Sequence, residues 1–271
     1  MPALYVVATP IGNLEDITQR AIRILKEVKL IAAEDTRKTR RLLTAYSIKT
    51  PLTSYHEHNR LTKLDYLLDF LEKDDVALVS DAGMPGISDP GYELITALSR
   101  KNIQVIPIPG PSALVTAVVI SGLPTNRFLY MGFLPHKSSE RKKLLKENAG
   151  QKATLVFFES PHRINATLKE MLEILGNRRI AVCRELTKIH EEVFRGTLQE
   201  AIDHYSEPRG EFTLVVEGNT SVPPEIEQKD IKAQLIQLQK SGLSDREAVR
   251  RLTAESGLSR KTVYQTMLSL K

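Results

Sequence analysis

A single cysteine, Cys183, stands in a chain of 271 residues. One thiol excludes an intramolecular disulfide framework and a thiolate metal cluster. Its setting, Ile180-Ala181-Val182-Cys183, reads as a buried strand with the thiol as core packing. No apolar run approaches the ~18–20 residues a membrane helix needs, so no membrane association is expected. The opening Met1-Pro2-Ala3-Leu4-Tyr5 has neither a basic segment nor a small-residue cleavage site. It passes directly into a strand pattern, so a cytoplasmic protein without a signal peptide is expected. Metal-ligand spacing is also scarce. His56-Glu57-His58 alternates and does not repeat at i, i+4, so no metal is expected there.

What is present is ordinary in bulk and uneven in distribution. Hydrophobic residues make up 41% and charged residues 26%, a soluble globular balance. The length suits two modest domains, or one larger one with an appendage. The net charge is +5, and residues 229–271 alone hold nine Lys or Arg against four Asp or Glu. The first 228 residues are therefore neutral overall. A basic tail on a neutral body suggests that the tail meets a polyanion. A solvated helical face is the plainer reading of the same charges.

The first 120 residues alternate strand and helix signals. Apolar runs at Leu4–Ala8, Leu30–Ala33, Val76–Val79 and Val105–Ile108 are separated by helical patterns near 16–27, 37–45, 57–73 and 91–101. This alternation predicts a largely parallel sheet with helices on its faces. Asp16 with Gln19 has capping-box spacing, and Asp89-Pro90 reads as an N-cap followed by proline. Strand runs then recur at Phe128–Phe133, Thr154–Phe158, Ile180–Cys183, Val193–Leu198 and Phe212–Val216. A basic helix over 138–148 and a helix over 161–175, opened by Ser160-Pro161, lie among them. Short gaps between some of these runs predict hairpins and a mixed sheet. The boundary falls near Gly122-Leu123-Pro124, and 219–228 reads as a linker.

Three helical patterns follow. Ser244 with Glu247 has capping-box spacing, with Ala248, Val249 and Leu252 on the apolar face. The last helix, after Ser256-Gly257-Leu258-Ser259, is expected to turn Val263, Tyr264, Met267 and Leu268 inward and Arg260, Lys261 and Gln265 outward. This is the pattern of a helix-turn-helix. The expected division is a first α/β lobe over 1–122, a second over 123–220 and a helical tail over 225–271.

Three strand ends carry glycine- and proline-rich loops: Thr9–Leu14, Ser80–Gly91 and Pro107–Ala113. Ligands of open α/β sheets bind outside the carboxyl ends of the strands, where all three would gather. Glycine admits close backbone approach and proline stiffens. None of the loops is G-x-G-x-x-G or G-x-x-x-x-G-K-[ST]. The second has no lysine and two aspartates, which disfavours a triphosphate and suits a cationic or zwitterionic molecule such as a sulfonium. Asp89 taken alone reads more readily as a helix cap than as a ligand.

The set Pro10-Ile11-Gly12-Asn13-Leu14, Glu34-Asp35-Thr36-Arg37, Ser80 through Gly91, Pro109-Gly110-Pro111-Ser112-Ala113 and Phe158-Glu159-Ser160-Pro161-His162-Arg163 resembles the tetrapyrrole-methylase-like superfamily. Within it, the resemblance is greatest to the branch that methylates small-subunit ribosomal RNA. It covers residue 4 to about 218, and the tail resembles a helix-turn-helix appended in that branch. The resemblance implies a two-lobed α/β (class III) methyltransferase with S-adenosylmethionine in the cleft between the lobes. It also implies a homodimer, and methylation of a cytidine ribose 2′-hydroxyl in the decoding region of small-subunit rRNA, within the assembled small subunit. By the same resemblance, Pro10 and Gly12 lie beside the cofactor. Asp81, Gly83, Ile87 and Ser88 line it, Ser112 and Ala113 complete the first-lobe side, and Phe158 and Phe212 approach the adenine.

Methyl transfer from a sulfonium needs a positioned nucleophile, and a ribose hydroxyl benefits from a base or a cation. The candidates are Asp35, Arg37, Glu159, His162 and Arg163. Asp35 and Glu159 are candidate bases, and Arg37 and Arg163 candidate phosphate holders. Thr36 through Arg41 also reads as a solvated helix face, and His162 as a first-turn helix residue. Lys137–Lys146, with Arg141, Lys142 and Lys143 adjacent, is a candidate phosphate track. The rival readings are a corrin or porphyrin precursor methylase, which has no need of a basic tail, and a ligand-sensing DNA-binding regulator.

Overall fold

Leu30–Ala33 and Val76–Val79 are four-residue apolar runs buried throughout. Such runs suit the centre of a parallel sheet covered on both faces. In the computed structural model, which describes residues 2–220, 228–256 and 260–270, they are strands β2 and β4. With β1 (Ala3–Val7), β3 (Leu52–Ser54) and β5 (Gln104–Ile108) they form a five-stranded sheet in the order β3-β2-β4-β1-β5. All its pairings are parallel. Helices α1 (Gln19–Glu27), α2 (Thr36–Ala45), α3 (Arg60–Leu71), α4 (Tyr92–Arg100) and α5 (Ala113–Ile120) connect the strands or lead out of the sheet. One core contains Leu25, Ile31 and Val79, and another contains Leu4, Leu67, Leu78 and Leu94. Because β4, β1 and β5 are neighbours, their three following loops meet at one edge.

The second sheet is mixed, in the order β6-β7-β10-β8-β9. Its strands are β6 (Phe128–Phe133), β7 (Thr154–Glu159), β8 (Arg179–Arg184), β9 (Glu192–Thr197) and β10 (Phe212–Val216). Only β6 and β7 pair in parallel; the other neighbours are antiparallel. Helices α6 (Ser138–Asn148), α7 (Ile164–Leu175) and α8 (Leu198–His204) accompany it. An apolar cluster joins the two sheets: Ile11, Leu114 and Val118 pack with Val156, Cys183, Leu186 and Val215.

Several local expectations are corrected. Helix α1 is capped by Thr18, whose hydroxyl accepts from the Ala21 N–H at 3.1 Å, while Asp16 ends a short 3₁₀ turn capped by Asn13. The α4 N-cap is Gly91 and not Asp89, and α7 begins at Ile164, beyond the Ser160-Pro161 turn. Gly91 is required there. Its φ is +152°, and a Cβ would lie 3.2 Å from Leu78 Cδ2 and 3.3 Å from Gly86 Cα. Three elements had no forecast: β3 is three residues long, α5 is almost wholly apolar, and α8 overlaps the run read as a strand.

The chain divides into two compact units, Met1–Asn219 and Thr220–Lys271. The second contains α9 (Gln228–Lys240), α10 (Asp245–Ser256) and α11 (Arg260–Leu268) around Ile231, Leu235, Val249, Leu252, Val263 and Met267. Ser244 and Glu247 form the reciprocal cap, with N–H to side-chain distances of 3.1 and 3.4 Å. On α11 the inward set is Val263, Thr266 and Met267; Tyr264 and Leu268, expected inward, are half exposed. Most of the linker read at 219–228 and the turn at 257–259 lie outside the described residues.

Candidate active site

Short bonds stitch the loops together at the carboxyl edge of the parallel sheet. Thr9 and Gly83 exchange two backbone hydrogen bonds of 2.9 Å, which zips the loop after β1 to the loop after β4. Asp81 occupies the centre of a second seam. Its Oδ1 accepts from the Asp35 N–H at 3.0 Å and its Oδ2 from Lys38 Nζ at 2.7 Å. Its own N–H donates to Glu34 Oε2 at 3.1 Å. The loops after β1, β2 and β4 therefore hold one another before any ligand arrives.

Between this edge and the second sheet lies a cavity of about 500 Å³, within the ~300–1,000 Å³ usual for small-molecule sites. Asp81, Gly83, Ile87, Ser88, Ser112, Ala113, Phe158 and Phe212 all line it, as do Ile11 and Glu159. Pro10 and Gly12 do not line it. Gly12 backs the wall: a Cβ there would come within 2.8 Å of Thr187 Oγ1 and 2.9 Å of the Leu186 carbonyl. Ser88, with φ of +61°, reaches 2.7 Å from the Tyr130 hydroxyl and so ties the β4 loop to β6.

Electrostatically the cavity leans acidic. Burial, with Glu34 and Asp81 nearby, pushes the Asp89 carboxyl up to about 7. Burial likewise raises Glu34. Lys38 and Lys188 are the cations among the lining residues, and both are paired: Lys188 Nζ meets Glu185 at 2.8 Å and Glu211 at 3.0 Å. Burial pushes the Cys183 thiol up to about 11, so at this wall it is packing and not a nucleophile.

The proposed catalytic residues lie apart from the open space, with one exception. Asp35 caps α2 and is clasped by Arg37, through Nε at 3.1 Å and Nη2 at 2.8 Å, which holds its carboxyl far below the usual range. Neither residue lines the cavity. Glu159 does, but its carboxylate is occupied. Thr167 Oγ1 donates at 2.7 Å, the Ser160 N–H at 2.8 Å, and Arg163 Nε stands at 3.2 Å. Arg163 also donates to the Leu134 carbonyl at 2.6 Å. Glu159 and Arg163 thus fasten β7 and α7 to the segment after β6, a poor arrangement for a base and a phosphate holder. His162 is exposed and outside the cavity. The phosphate track read over Lys137–Lys146 is corrected at two residues, while Lys137, Lys143 and Lys146 are exposed. Arg141 is buried in a bidentate pair with Glu170, and Lys142 is 2.6 Å from Glu173.

Reasoning from the sequence missed Glu34, Lys38, Lys188, Glu211 and Phe133, and it weighed Asp89 mainly as a cap. Glu34 stands in the Glu34-Asp35-Thr36-Arg37 motif, and Lys38 follows it in the first turn of α2. Lys188 and Glu211 carry no local signal, because the fold alone brings them to the cavity.

The chain matches, over residues 3–202, the family described as Tetrapyrrole (Corrin/Porphyrin) Methylases. It belongs to this family. Among its relatives, a Halalkalibacterium halodurans protein named Ribosomal RNA small subunit methyltransferase I is 50% identical over 268 residues, 96% of this chain and 93% of the relative. A Synechocystis protein of the same name is 48% identical and covers 100% of this chain and 99% of itself. The Thermotoga maritima protein of that name is 50% identical over 80% of this chain and 99% of itself, so a fifth of this chain has no counterpart there. Solved structures share the fold of this chain. A diphthine synthase superposes with a TM-score of 0.67 at 14% identity, over 81% of this chain and 91% of the other. A uroporphyrin-III-C-methyltransferase from Thermus thermophilus gives 0.55 at 20% identity, over 80% and 94%.

Proposed function

We propose that this chain is an S-adenosylmethionine-dependent methyltransferase that modifies the ribose 2′-hydroxyl of a cytidine in the decoding region of small-subunit rRNA. The cavity at the edge of β1, β4 and β5 carries the reading, in a family member whose full-length relatives bear the rRNA methyltransferase name. Its residues fit the cofactor. Glu34, Asp81 and Asp89 favour a cation, phosphate-loop chemistry is missing from the loops, and Phe158 and Phe212 offer apolar surface. Asp81, Gly83, Ile87, Ser88, Ser112 and Ala113 would hold it from the first sheet, with Pro10 and Gly12 behind them.

When bound, S-adenosylmethionine supplies an electrophilic methyl group with its own leaving group. The protein's part is positioning, water exclusion and charge. Asp89 is the cavity carboxyl able to exchange a proton near neutral pH. Lys38, raised by its bond to Asp81, presents a fixed positive charge. Asp35, Arg37, Glu159 and Arg163 act as positioning residues that hold α2 and β7.

The reading includes a cytoplasmic homodimer acting on the assembled subunit. It divides the chain into lobes 1–122 and 123–220 and a helix-turn-helix tail 225–271 that adds RNA affinity. Among the described residues no helix is long and apolar enough to cross a membrane. The family, Tetrapyrrole (Corrin/Porphyrin) Methylases, favours one second reading, methylation of a corrin or porphyrin precursor. Incubation with labelled cofactor and either undermethylated small subunits or a tetrapyrrole separates the two by which one gains label.

A further inference from the structure

The cationic face of α2 is the feature that the cofactor cavity leaves unexplained. The helix reads Thr-Arg-Lys-Thr-Arg-Arg-Leu-Leu-Thr-Ala, with Thr39, Leu42 and Leu43 buried. Packing those residues inward turns Arg37, Lys38, Arg40 and Arg41 outward, and all four are exposed. No acidic residue lies within the helix. Like charges at 37 and 41, 37 and 40, and 38 and 41 repel across single turns. Arg37 and Lys38 also stand in the first turn, at the positive end of the helix dipole. A solvated face normally intersperses both signs. Asp35 offsets Arg37 and Asp81 offsets Lys38, so the charge left uncompensated on this face is that of Arg40 and Arg41, a local conflict of the kind that concentrates at functional surfaces.

We propose that this ridge, continued across the cavity by Lys188, is the track that holds the phosphates of the substrate RNA. The inference rests on the rRNA reading above and adds where on the body the RNA lies. Three observations support it. Lys38 lines the cavity, so the ridge begins at the reaction site and runs outward along α2. Among the described residues, Arg40 and Arg41 have no carboxylate within 4.0 Å, whereas on α6 Arg141 is buried on Glu170, Lys142 and Lys143 stand 2.6 and 4.0 Å from Glu173 and Glu147, and Lys146 alone has no such partner. Lys38 is held by Asp81, and Lys188 by Glu185 and the largely exposed Glu211; an arriving phosphate competes with Asp81 for Lys38 and can replace Glu211 at Lys188. The neutral sum over the first 228 residues hides this segregation of charge.

The test is charge reversal at Arg40→Glu with Arg41→Glu, both away from the cavity, beside Lys143→Glu with Lys146→Glu on α6. Methyl transfer to undermethylated small subunits is measured against subunit and salt concentration, and cofactor affinity is measured separately as a check of fold. The α2 variant should raise KM for subunits by about tenfold or more, change kcat by less than about twofold and bind cofactor normally. Its log KM against log salt should flatten by about two contacts' worth, roughly 0.7–0.9 each. The α6 variant should stay within about twofold of wild type. An unchanged KM and salt slope in the α2 variant, or a larger rise in the α6 variant, overturns the track. Failure of the wild type to methylate subunits at all defeats the rRNA reading instead, and the two failures are thereby distinct.

Discussion

Arg141 Nη2 lies 2.8 Å from Glu170 Oε1 between α6 and α7, and Nε of the same guanidinium meets the other carboxylate oxygen. The pair is almost wholly shielded from solvent, and Ser138 Oγ donates to the same Glu170 oxygen at 2.7 Å. The remaining guanidinium N–H groups reach the Pro135 and His136 carbonyls. A charge so fully engaged fixes α6 on α7 and is unavailable to a phosphate.

Arg141→Ala strands the Glu170 carboxylate. Breaking a buried pair from one side costs about 3–5 kcal/mol, and each kcal/mol moves Tm by about 2–4 °C in a unit of this size. Thermal unfolding should therefore fall well below wild type, while KM for RNA measured in the folded range stays close to it. A large KM change with an unchanged Tm would reverse the assignment.

Asp89 makes stability and ligand binding depend on pH. Its folded value of about 7 lies above the ~3.9 of an unfolded aspartate. Its contribution is thus fully present below the unfolded value and is lost as pH rises through about 7. Asp89→Asn removes that loss. The variant's Tm advantage should be absent below about pH 4, grow between about 4 and 7, and level off above that. A gap independent of pH would contradict the burial argument. In the wild type, a cationic ligand should bind more tightly at pH about 8 than at about 6, and the variant should flatten that dependence.

Gly12→Ala addresses the wall behind the cavity. A Cβ would press on Thr187 Oγ1 and on the Leu186 carbonyl, and backbone cannot swing aside as a side chain can. Leu186 and Lys188 both line the cavity, so displacement of this segment should reach the ligand. Cofactor affinity should drop by about tenfold, the effect of ~1.4 kcal/mol. Calorimetric titration reads it, and undiminished affinity would show that the segment yields freely.

Ending the chain at Asn219 removes the smaller unit. Every residue lining the cavity belongs to the larger unit, so methyl transfer should persist, with a raised KM for subunits and an unchanged cofactor affinity. Complete loss of transfer by a folded truncation would make the tail part of the reaction site.

Much of this was legible in the sequence, for physical reasons. Short buried runs such as Leu30–Ala33 reveal a parallel sheet because both faces must be apolar. Loops at strand ends reveal the site because the topology gathers them. Roles of single charges were not legible. Arg141 and Lys142 look like Arg40 and Arg41 in one dimension, and only the fold decides which find a carboxylate. Glu159 looked like a base until Thr167, Ser160 and Arg163 were seen to occupy it. The caps at Asp16 and Asp89 failed because Thr18 and Gly91 lay two residues on, within the usual uncertainty of helix starts.

The chemical position of the transferred methyl tests the central claim most directly. A 2′-O-methyl group removes the hydroxyl that attacks the adjacent phosphate in alkali, so the bond on its 3′ side survives. Small subunits labelled by this enzyme from methyl-labelled S-adenosylmethionine, then hydrolysed in alkali, should release label in an alkali-resistant dinucleotide beginning with cytidine. Label in mononucleotides would place the methyl on a base, and label gained only by a tetrapyrrole would remove RNA from the account; either result contradicts it.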